Sequence, residues 1–510
     1  MKKKFSFILV LLTVVFFACE NTEKLPLRRQ HQLEIKIAFS GDTKEILKEV
    51  SLETINNLDL KIPSIVKLSK IDGFFDAERL GAGKIKVDAW LAPSSTLIDV
   101  VNKNVSGLGS TILDCENIFS SPIVAAINPN DAEKLNFEAG KINVESFVKA
   151  ASEEKIWLAL PDPLFSAVGI QSLHQLLIKN ESSKFLSNFQ KLTWSNSTNS
   201  VLNLNSAKKQ HSRSPIVFTS EQELLSFSDP FYQAHYFNES SWLNYGFCIA
   251  NSENLSTDKL RILKAIQANL LSNNWQLKAK ERGFRTISSL PATQIFDSAK
   301  GIISSLPAES LKPPRSEDVI ELIETWKKTK RKSATVFLVD TSSSMEGDTF
   351  RELSGLVTSL ATNFTAKDNG QVSLIRFSNL VDQNTPFATD VSYLSQRLIT
   401  AKPLGGSALY DALKRAFDLL SSNDAAEYQK RIIFFTDGAD SSSRVRAEEL
   451  KKLISLNSTH EPVILIGILI GEANEIPAEL KSLVRDLGGV SLVTTRKNIP
   501  ALGEDIYSLM

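Results

Sequence analysis

An apolar run that ends in an acid and alternating hydroxyls constrains the fold of this chain more than any other feature. Residues 336–339 are all apolar, and they lead into Asp340, Ser342 and Ser344, which together read D-x-S-x-S. A short apolar run of this kind is typical of a buried parallel strand. The loop after such a strand lies at the edge of the sheet where α/β proteins bind their ligands. The stretch therefore predicts an α/β domain that presents oxygen ligands at that edge.

Two later loops carry side chains of the same chemistry. Ser407 follows the pair Gly405-Gly406, and Asp437 comes directly after an apolar segment that ends at Thr436. Their oxygens are hard ligands, which Mg²⁺ and Mn²⁺ prefer, and none of the three loops contains the thiolate or imidazole that selects zinc or copper. The sequence therefore predicts one divalent-cation site, whose candidate ligands are Asp340, Ser342, Ser344, Ser407 and Asp437.

Each loop also has a simpler interpretation. Asp and Ser are common in exposed turns at strand ends, where they bond to the nearby backbone. Taken alone, Asp437-Gly438 would be typical of a type I′ turn. The order of the three loops along the chain favours the cation site over these alternatives.

The three segments resemble the metal-ion-dependent adhesion site of a von Willebrand factor type A (VWA) domain, and the resemblance covers residues 334–510. It implies a doubly wound, Rossmann-like domain with a mainly parallel sheet. It also implies that Ser342 and Ser344 ligate Mg²⁺ or Mn²⁺ directly, and that Asp340 and Asp437 do so directly or through water. Ser407 stands where the family usually has Thr. The family's cation holds a carboxylate of a protein partner.

Strands and helices alternate through this second half, which predicts right-handed crossovers in one parallel sheet. The strands predicted after the first are 371–377, an edge-like segment 381–387, 431–436, 463–470 and 490–494. The predicted helices are 350–365, 391–399, 408–420, 447–456 and 478–487, with a last helix beyond them.

The first half reads as a separate α/β domain over residues 33–309. Alternation predicts a strand over Leu33–Phe39, and helical spacing predicts a helix over Lys44–Asn57. Further strands are predicted at 85–90, 123–127, 156–160, 216–219 and 245–250. Helices between these strands indicate a parallel or mixed sheet and two lobes.

Several pieces of this domain resemble type 2 periplasmic solute-binding proteins, in the order that the family has them. They are the segments 88–95, 121–126, 160–169 and 273–285. The resemblance implies a small solute held between two lobes, with Ser40, Thr43, Ser95 and Ser166 as the matching ligand-binding candidates. The alternative for each is a helix N-cap, the commonest role of Ser and Thr before a helix.

The two domains are joined by residues 310–333. Pro313-Pro314 indicates a semi-rigid linker. Residues 316–330 have apolar residues at helical spacing, including Val319, Ile323 and Trp326. This pattern predicts a docking helix with a solvated basic end.

The N-terminus predicts export. Residues 1–18 have Lys2–Lys4 followed by an apolar run too short to span a bilayer, which is typical of a signal peptide. Ala18-Cys19 resembles the lipobox of bacterial lipoproteins, with Phe16 in place of the usual Leu. This implies lipidation of Cys19, a polar tether over 19–32, and a lipid-anchored protein of the cell membrane or outer membrane that faces the periplasm or the exterior. The alternative is a secreted protein without an anchor.

Composition excludes other classes. The 510 residues carry 58 basic and 58 acidic side chains, and this neutral balance gives no basic surface for nucleic acid. Beyond Cys19 only Cys115 and Cys248 occur, which predict either one disulfide or two buried thiols. No zinc pattern or Gly-x-Ser-x-Gly elbow is present, so an enzyme is not expected.

Two functions follow from these patterns. The first is a membrane-anchored extracytoplasmic binding protein whose VWA domain holds an acidic group of a protein partner through a cation. The alternative is the solute receptor of an ABC-type transport system, with a regulatory VWA domain.

Overall fold

The computed structural model describes residues 32–506 apart from short gaps, which are residues 61, 104–110, 138–140, 154–155, 178–185, 187–188, 191, 196–199, 201–202, 205–214, 252–254, 288–292, 304–310, 330–331, 368–369, 423–427, 439, 458–462, 473–474, 488 and 504–505. The predicted signal peptide, Cys19 and nearly all of the tether lie outside the described residues.

The first part of the chain forms one mixed sheet. Its strands, in chain order, are β1 (Leu33–Phe39), β2 (Ser64–Lys70), β3 (Ala89–Ala92), β4 (Thr111–Ile127), β5 (Lys141–Ile142), β6 (Leu158–Ala159), β7 (Thr193–Ser195), β8 (Ile216–Ser220), β9 (Gln233–Phe237), β10 (Trp242–Asn251) and β11 (Arg285–Thr286). The main path through the sheet is β2-β1-β3-β10-β4-β8-β6-β7, and β5, β9 and β11 lie beside it.

Strand β4 divides this part into two lobes. Its residues up to Pro122 pair antiparallel with β10, which also pairs with β3 of the first lobe. Its last residues pair with β8 and β9 of the second lobe. The helices of the two lobes are α1 (Lys44–Asn57), α2 (Phe74–Gly81), α3 (Ser95–Lys103), α4 (Pro129–Lys134), α5 (Val144–Ser152), α6 (Ala167–Leu177), α7 (Glu221–Phe227), α8 (Thr257–Leu271) and α9 (Asn273–Glu281). The predicted two-lobed α/β architecture is confirmed.

The second part is a five-stranded, all-parallel sheet in the order β13-β12-β14-β15-β16. Its strands are β12 (Ser333–Asp340), β13 (Gln371–Phe377), β14 (Gln429–Thr436), β15 (Val463–Ile470) and β16 (Val490–Thr494). The helices are α11 (Asp348–Lys367), α12 (Ser392–Ile399), α13 (Leu409–Leu420), α14 (Ala447–Asn457) and α15 (Ala478–Asp486), and the helix before the sheet is α10 (Ser316–Thr329).

Helices cover both faces of this sheet. Phe337 and Val339 of β12 belong to the apolar core on one face, while Val336 and Leu338 belong to the core on the other. Successive strand residues point to opposite faces, so a strand between two helical layers must be apolar throughout. The doubly wound architecture expected from residues 336–339 is confirmed.

Two predicted strands differ from the structure. The strand expected at 85–90 begins only at Ala89, because the backbone N–H groups of Lys84 and Ile85 donate to the carbonyl of Arg79 and close the end of α2. Segment 381–387 lies along β13 without forming a regular strand: it makes an isolated bridge from Val381 to Phe377 and single backbone bonds from Asp382 to Arg376 and from Thr385 to Leu374. Beyond residue 494 the chain forms a 3₁₀ helix over Arg496–Ala501, and residues 502, 503 and 506 after it are α-helical.

Helix α10 packs on the first part of the chain. Val319, Ile323 and Trp326 are buried in the same apolar core as the two lobes. These three side chains form the buried face of α10, and their spacing is the pattern that predicts a docking helix.

The two remaining cysteines form a disulfide. Cys115 and Cys248 face each other across the antiparallel pair β4–β10, with their Cα atoms 4.1 Å apart. This resolves the choice between a disulfide and two thiols. Among the helices that the structure describes, none is both long enough and apolar enough to cross a bilayer.

Candidate metal centre

The candidate ligands lie at the carboxyl end of the parallel sheet. Asp340 is the last residue of β12, and Thr436 is the last residue of the neighbouring strand β14. Ser342 and Ser344 follow in the first loop, and Asp437 directly follows β14. Because β12 and β14 are parallel neighbours, their ends bring these side chains to one edge, as the sequence predicted.

Asp340 is the buried centre of the cluster, with no exposed surface. Its Oδ1 accepts a hydrogen bond of 2.8 Å from the backbone N–H of Ser342. Its Oδ2 accepts from the hydroxyls of Ser407, at 3.0 Å, and Thr436, at 2.6 Å. Burial raises the pKa of the Asp340 carboxyl, and the hydrogen bonds from Thr436, Ser342 and Ser407 oppose that rise.

The outer side of the cluster is formed by the other three candidates. The Oγ atoms of Ser342 and Ser344 are 3.0 Å apart, and the Ser344 hydroxyl donates to Oδ1 of Asp437 at 2.7 Å. Ser342 is buried, whereas Ser344 is exposed. All five predicted side chains therefore lie in one hydrogen-bonded cluster that reaches from the core to the surface.

The loop of Ser407 is held in place by hydrogen bonds to Asn379 and Ser441. Gly405 has a φ of +83°, and a Cβ at this position would lie 2.5 Å from the amide nitrogen of Asn379. The N–H of Gly406 donates to the Asn379 side-chain oxygen at 2.6 Å. The carbonyl of Ser407 accepts from the backbone N–H of Ser441 at 2.8 Å. Glycine suits both the positive φ and the close approach.

Sequence reasoning missed two residues of the cluster. The sequence pattern at Thr436 indicates only the end of a strand, although its hydroxyl contacts Asp340. Arg496 follows the far strand β16, and its Nη2 donates to Oδ2 of Asp437 at 3.1 Å and to the carbonyl of Ser344 at 3.3 Å. The D-x-S-x-S motif does not point to residue 496, so only the fold brings the guanidinium of Arg496 to the cluster.

The residues present fit a hard divalent cation. The cluster offers carboxylate and hydroxyl oxygens from three loops, and these candidate ligands include both buried and exposed side chains. Mg²⁺ accepts such a set and keeps several waters or an outside carboxylate in its remaining positions. Within the described residues, no group of three or more His, Cys, Asp or Glu side chains is placed to hold a metal ion. The candidate site itself contains only two acidic side chains, those of Asp340 and Asp437, and serine hydroxyls supply its other oxygens.

The four candidates of the first part are not gathered in the same way. Ser40 and Thr43 are fully buried in the first lobe. The Ser40 hydroxyl donates to the carbonyl of Ile71, and the Thr43 hydroxyl donates to the carbonyl of Ser40 at 2.7 Å. Ser95 is exposed at the start of α3. Both buried hydroxyls are thus donated within their own lobe.

Ser166, the fourth candidate, is buried in the second lobe just before α6. The two lobes touch directly beside it. The N–H of Phe75 donates to the carbonyl of Leu164 at 2.9 Å, and the rings of Phe75 and Phe165 meet edge to face with centroids 5.9 Å apart.

The second part of the chain matches a known family. Residues 335–439 match the family model of the von Willebrand factor type A domain. The matched segment includes the three loops of the cluster. The chain therefore carries a VWA domain at its C-terminal side, as the sequence predicted.

Solved structures similar to the chain fall into two groups. One group includes the "Periplasmic thiamin binding protein", at 13% identity over 58% of this chain and 96% of that chain with a TM-score of 0.44. It also includes the "substrate binding domain of putative molybdenum ABC transporter from Clostridium difficile", at 12% identity over 50% and 100% with a TM-score of 0.34. The other group includes the "SpRpn10 VWA domain", at 17% identity over 34% and 95% with a TM-score of 0.27. No curated protein matches the chain.

Proposed function

We propose that this chain is an extracytoplasmic binding protein whose VWA domain holds an acidic group of a protein partner through Mg²⁺ or Mn²⁺. The observation that carries the proposal is the hydrogen-bonded cluster around Asp340 at the carboxyl edge of the parallel sheet. The cation would be held by Asp340, Ser342, Ser344, Ser407 and Asp437. When bound, it supplies positive charge and an open coordination position for a carboxylate.

The chain's own residues set the properties of this site. Asp340 is fixed by donors on both of its oxygens, so its position does not depend on a partner. Ser344 is exposed and extends the cluster towards solvent. The cluster contains no histidine or lysine that would activate its serine hydroxyls as nucleophiles, which supports binding rather than catalysis.

Titration calorimetry of the full chain with Mg²⁺ and with Mn²⁺ tests the site. We expect binding by the wild type, and none by Asp340→Ala, because that substitution removes the buried carboxylate. Asp348→Ala is the matched control, since its side chain is 81% exposed outside the cluster. Ser344→Ala, at an exposed position, gives a second variant if Asp340→Ala does not fold. Equal cation binding by the wild type and both cluster variants would contradict the proposal.

A second candidate function is favoured by the two lobes that share β4. A solute held between them would make the chain the receptor of an ABC-type transport system, with the VWA domain regulatory. Ligand that binds only the folded state raises its stability, so a thermal-shift screen of anions, sugars and amino acids detects it. If no compound shifts the transition at millimolar concentration, in protein freed of carried-over ligand, the lobes serve as a scaffold.

The location is part of the proposal. Ala18-Cys19 after a short apolar run supports a lipid-modified Cys19 at a membrane surface. Acyl chains contribute about 0.8 kcal/mol for each buried methylene, so a multiply acylated cysteine holds a protein firmly. The wild type is expected in the detergent phase after phase separation and Cys19→Ser in the aqueous phase. Equal aqueous partitioning of both would exclude the anchor.

A further inference from the structure

We propose that the partner segment at the metal centre carries an apolar side chain beside its carboxylate, and that Leu380 and Leu404 receive that side chain. We refer to these two leucines as the apolar rim. The inference rests on the proposed function and adds the chemistry of the partner to it.

Both leucines are unusually exposed for their type. The exposed fraction is 68% for Leu380 and 74% for Leu404. The leucines of the nearby strands and helices, such as Leu338, Leu374 and Leu409, are almost fully buried. Scattered exposed leucines are ordinary, whereas exposed apolar surface that is rimmed by polar residues marks a place where another molecule binds.

The apolar rim is fixed to the loops that carry the candidate ligands. The N–H of Leu404 donates to the carbonyl of Thr341 at 2.8 Å, which places Leu404 beside the first ligand loop. The next residue, Gly405, accepts from the N–H of Ser343 at 3.0 Å. Leu404 thus lies where the loop of Ser407 meets the loop of Ser342.

Leu380 belongs to the same edge through its neighbour. The side chain of Asn379 accepts from the N–H of Gly406 at 2.6 Å and from the hydroxyl of Ser442 at 3.3 Å. The carbonyl of Ser378 accepts from the N–H of Ala408 at 2.7 Å. These bonds hold the 378–380 loop against the 405–408 loop, so Leu380 and Leu404 lie on adjoining loops beside the cluster.

The combination of groups favours a protein segment over other anions. A site with a divalent cation attracts a carboxylate, and its rim offers apolar surface whose burial against an apolar group is favourable. An Asp or Glu followed or preceded by an apolar residue supplies both groups. A phosphate or an acidic polysaccharide supplies the charge alone.

A displayed library of random twelve-residue peptides, selected on the full chain, tests this inference. With Mg²⁺ present, we expect enrichment of peptides in which Asp or Glu adjoins Leu, Ile, Val or Phe. Chelator and Asp340→Ala should remove the enrichment. For a peptide selected on the wild type, Leu404→Ser and Leu380→Ser should each weaken binding about tenfold, which equals about 1.4 kcal/mol. Leu52→Ser, at a 60% exposed position on α1, is the control and should leave binding unchanged.

The outcomes separate this inference from the proposed function. Mg²⁺-dependent selection of acidic peptides without an apolar neighbour, or equal binding by the rim variants and the wild type, would overturn the apolar rim and leave the metal site intact. Absence of any Mg²⁺-dependent enrichment would overturn both.

Discussion

The indole nitrogen of Trp326 donates a hydrogen bond of 3.0 Å to Oδ1 of Asp162, and neither residue has any exposed surface. Trp326 lies on α10, which precedes the VWA domain, and Asp162 lies in the second lobe. At its other end α10 meets the first lobe, where the hydroxyl of Thr96 donates to the carbonyl of Pro314 at 2.8 Å and Lys103 pairs with Glu317. One helix therefore contacts both lobes, and separating them would break one of these contacts.

We expect Trp326→Phe to lower the free energy of unfolding. The phenyl ring keeps most of the apolar surface but removes the N–H that contacts the Asp162 carboxylate. A hydrogen bond to a charged group contributes about 1.5–3 kcal/mol, and the substitution adds a small cavity. Guanidinium unfolding of the full chain measures the change.

Trp275→Phe is the matched control for this loss. Trp275 is 2% exposed, and its Nε1 has no hydrogen-bond partner among the described residues. The control removes the same volume without removing a hydrogen bond, and the phenyl ring keeps an aromatic face for the ammonium of Lys278, which lies 3.7 Å from the centroid of the Trp275 ring. If both variants are destabilised equally, the hydrogen bond between Trp326 and Asp162 contributes nothing.

The stability of the first lobe should depend on pH through Asp76. Burial raises the pKa of this carboxyl to about 6, against the attraction of Arg79, and the charge of Asp72 adds to the rise. The folded state then binds the proton more tightly than the unfolded state, so stability falls as pH rises from about 4 to about 6. A pKa difference of this size corresponds to about 3 kcal/mol, and solvent screening at a side chain that is 27% exposed reduces it to about 2 kcal/mol.

Asp76→Asn should therefore be more stable than the wild type above pH 6 and should differ little from it near pH 4. Thermal unfolding across this range measures the difference, with the exposed Asp99→Asn of α3 as a control. A wild-type advantage that grows with pH would show instead that the ion pair with Arg79 outweighs the cost of burial.

The local sequence pattern correctly predicted those elements in which no side chain disturbs the backbone hydrogen bonds. Strand β1 and helix α1 have the bounds that alternation and helical spacing gave, Leu33–Phe39 and Lys44–Asn57. Segment 381–387 is not a regular strand, because the side chain of Thr385 replaces one backbone acceptor in its pairing with β13. The hydroxyl of Thr385 accepts from the N–H of Leu374 at 2.8 Å, in the place of a backbone carbonyl.

The candidate site also has a part that local motifs predicted and a part that they did not. The loops of Asp340, Ser407 and Asp437 were predicted because each follows its own local motif, and parallel neighbours carry two of them to one edge. Arg496 is 59 residues from Asp437 and has no motif of its own. Trp326 and Asp162 are 164 residues apart. Contacts of this kind depend on how elements pack, which periodicity does not specify.

Arg496→Gln should tighten Mg²⁺ binding at the candidate centre. The guanidinium of Arg496 lies 3.1 Å from the Asp437 carboxylate, where its positive charge opposes a cation at the same oxygens. Its side chain is 57% exposed, so solvent screening reduces the effect to about threefold to tenfold in Kd. Titration calorimetry of the full chain measures it, with Arg351→Gln as the control at a 77% exposed position on α11. Weaker binding by Arg496→Gln would mean that Arg496 orients Asp437 instead of competing with the cation.

Ser407→Thr should preserve cation binding or strengthen it a few-fold, whereas Ser407→Ala should weaken it about tenfold, in line with the loss of one ligand. The Ser407 hydroxyl donates to Oδ2 of Asp340 at 3.0 Å and is 5% exposed, so its oxygen faces the buried carboxylate. Threonine keeps that oxygen, and its branched Cβ restricts the rotamer that aims it. Alanine removes the oxygen and leaves Thr436 as the hydroxyl donor to Oδ2. Calorimetry with Mg²⁺ and Mn²⁺ compares the three proteins. If Ser407→Ala binds as tightly as Ser407→Thr, Ser407 only supports Asp340 and is not a ligand.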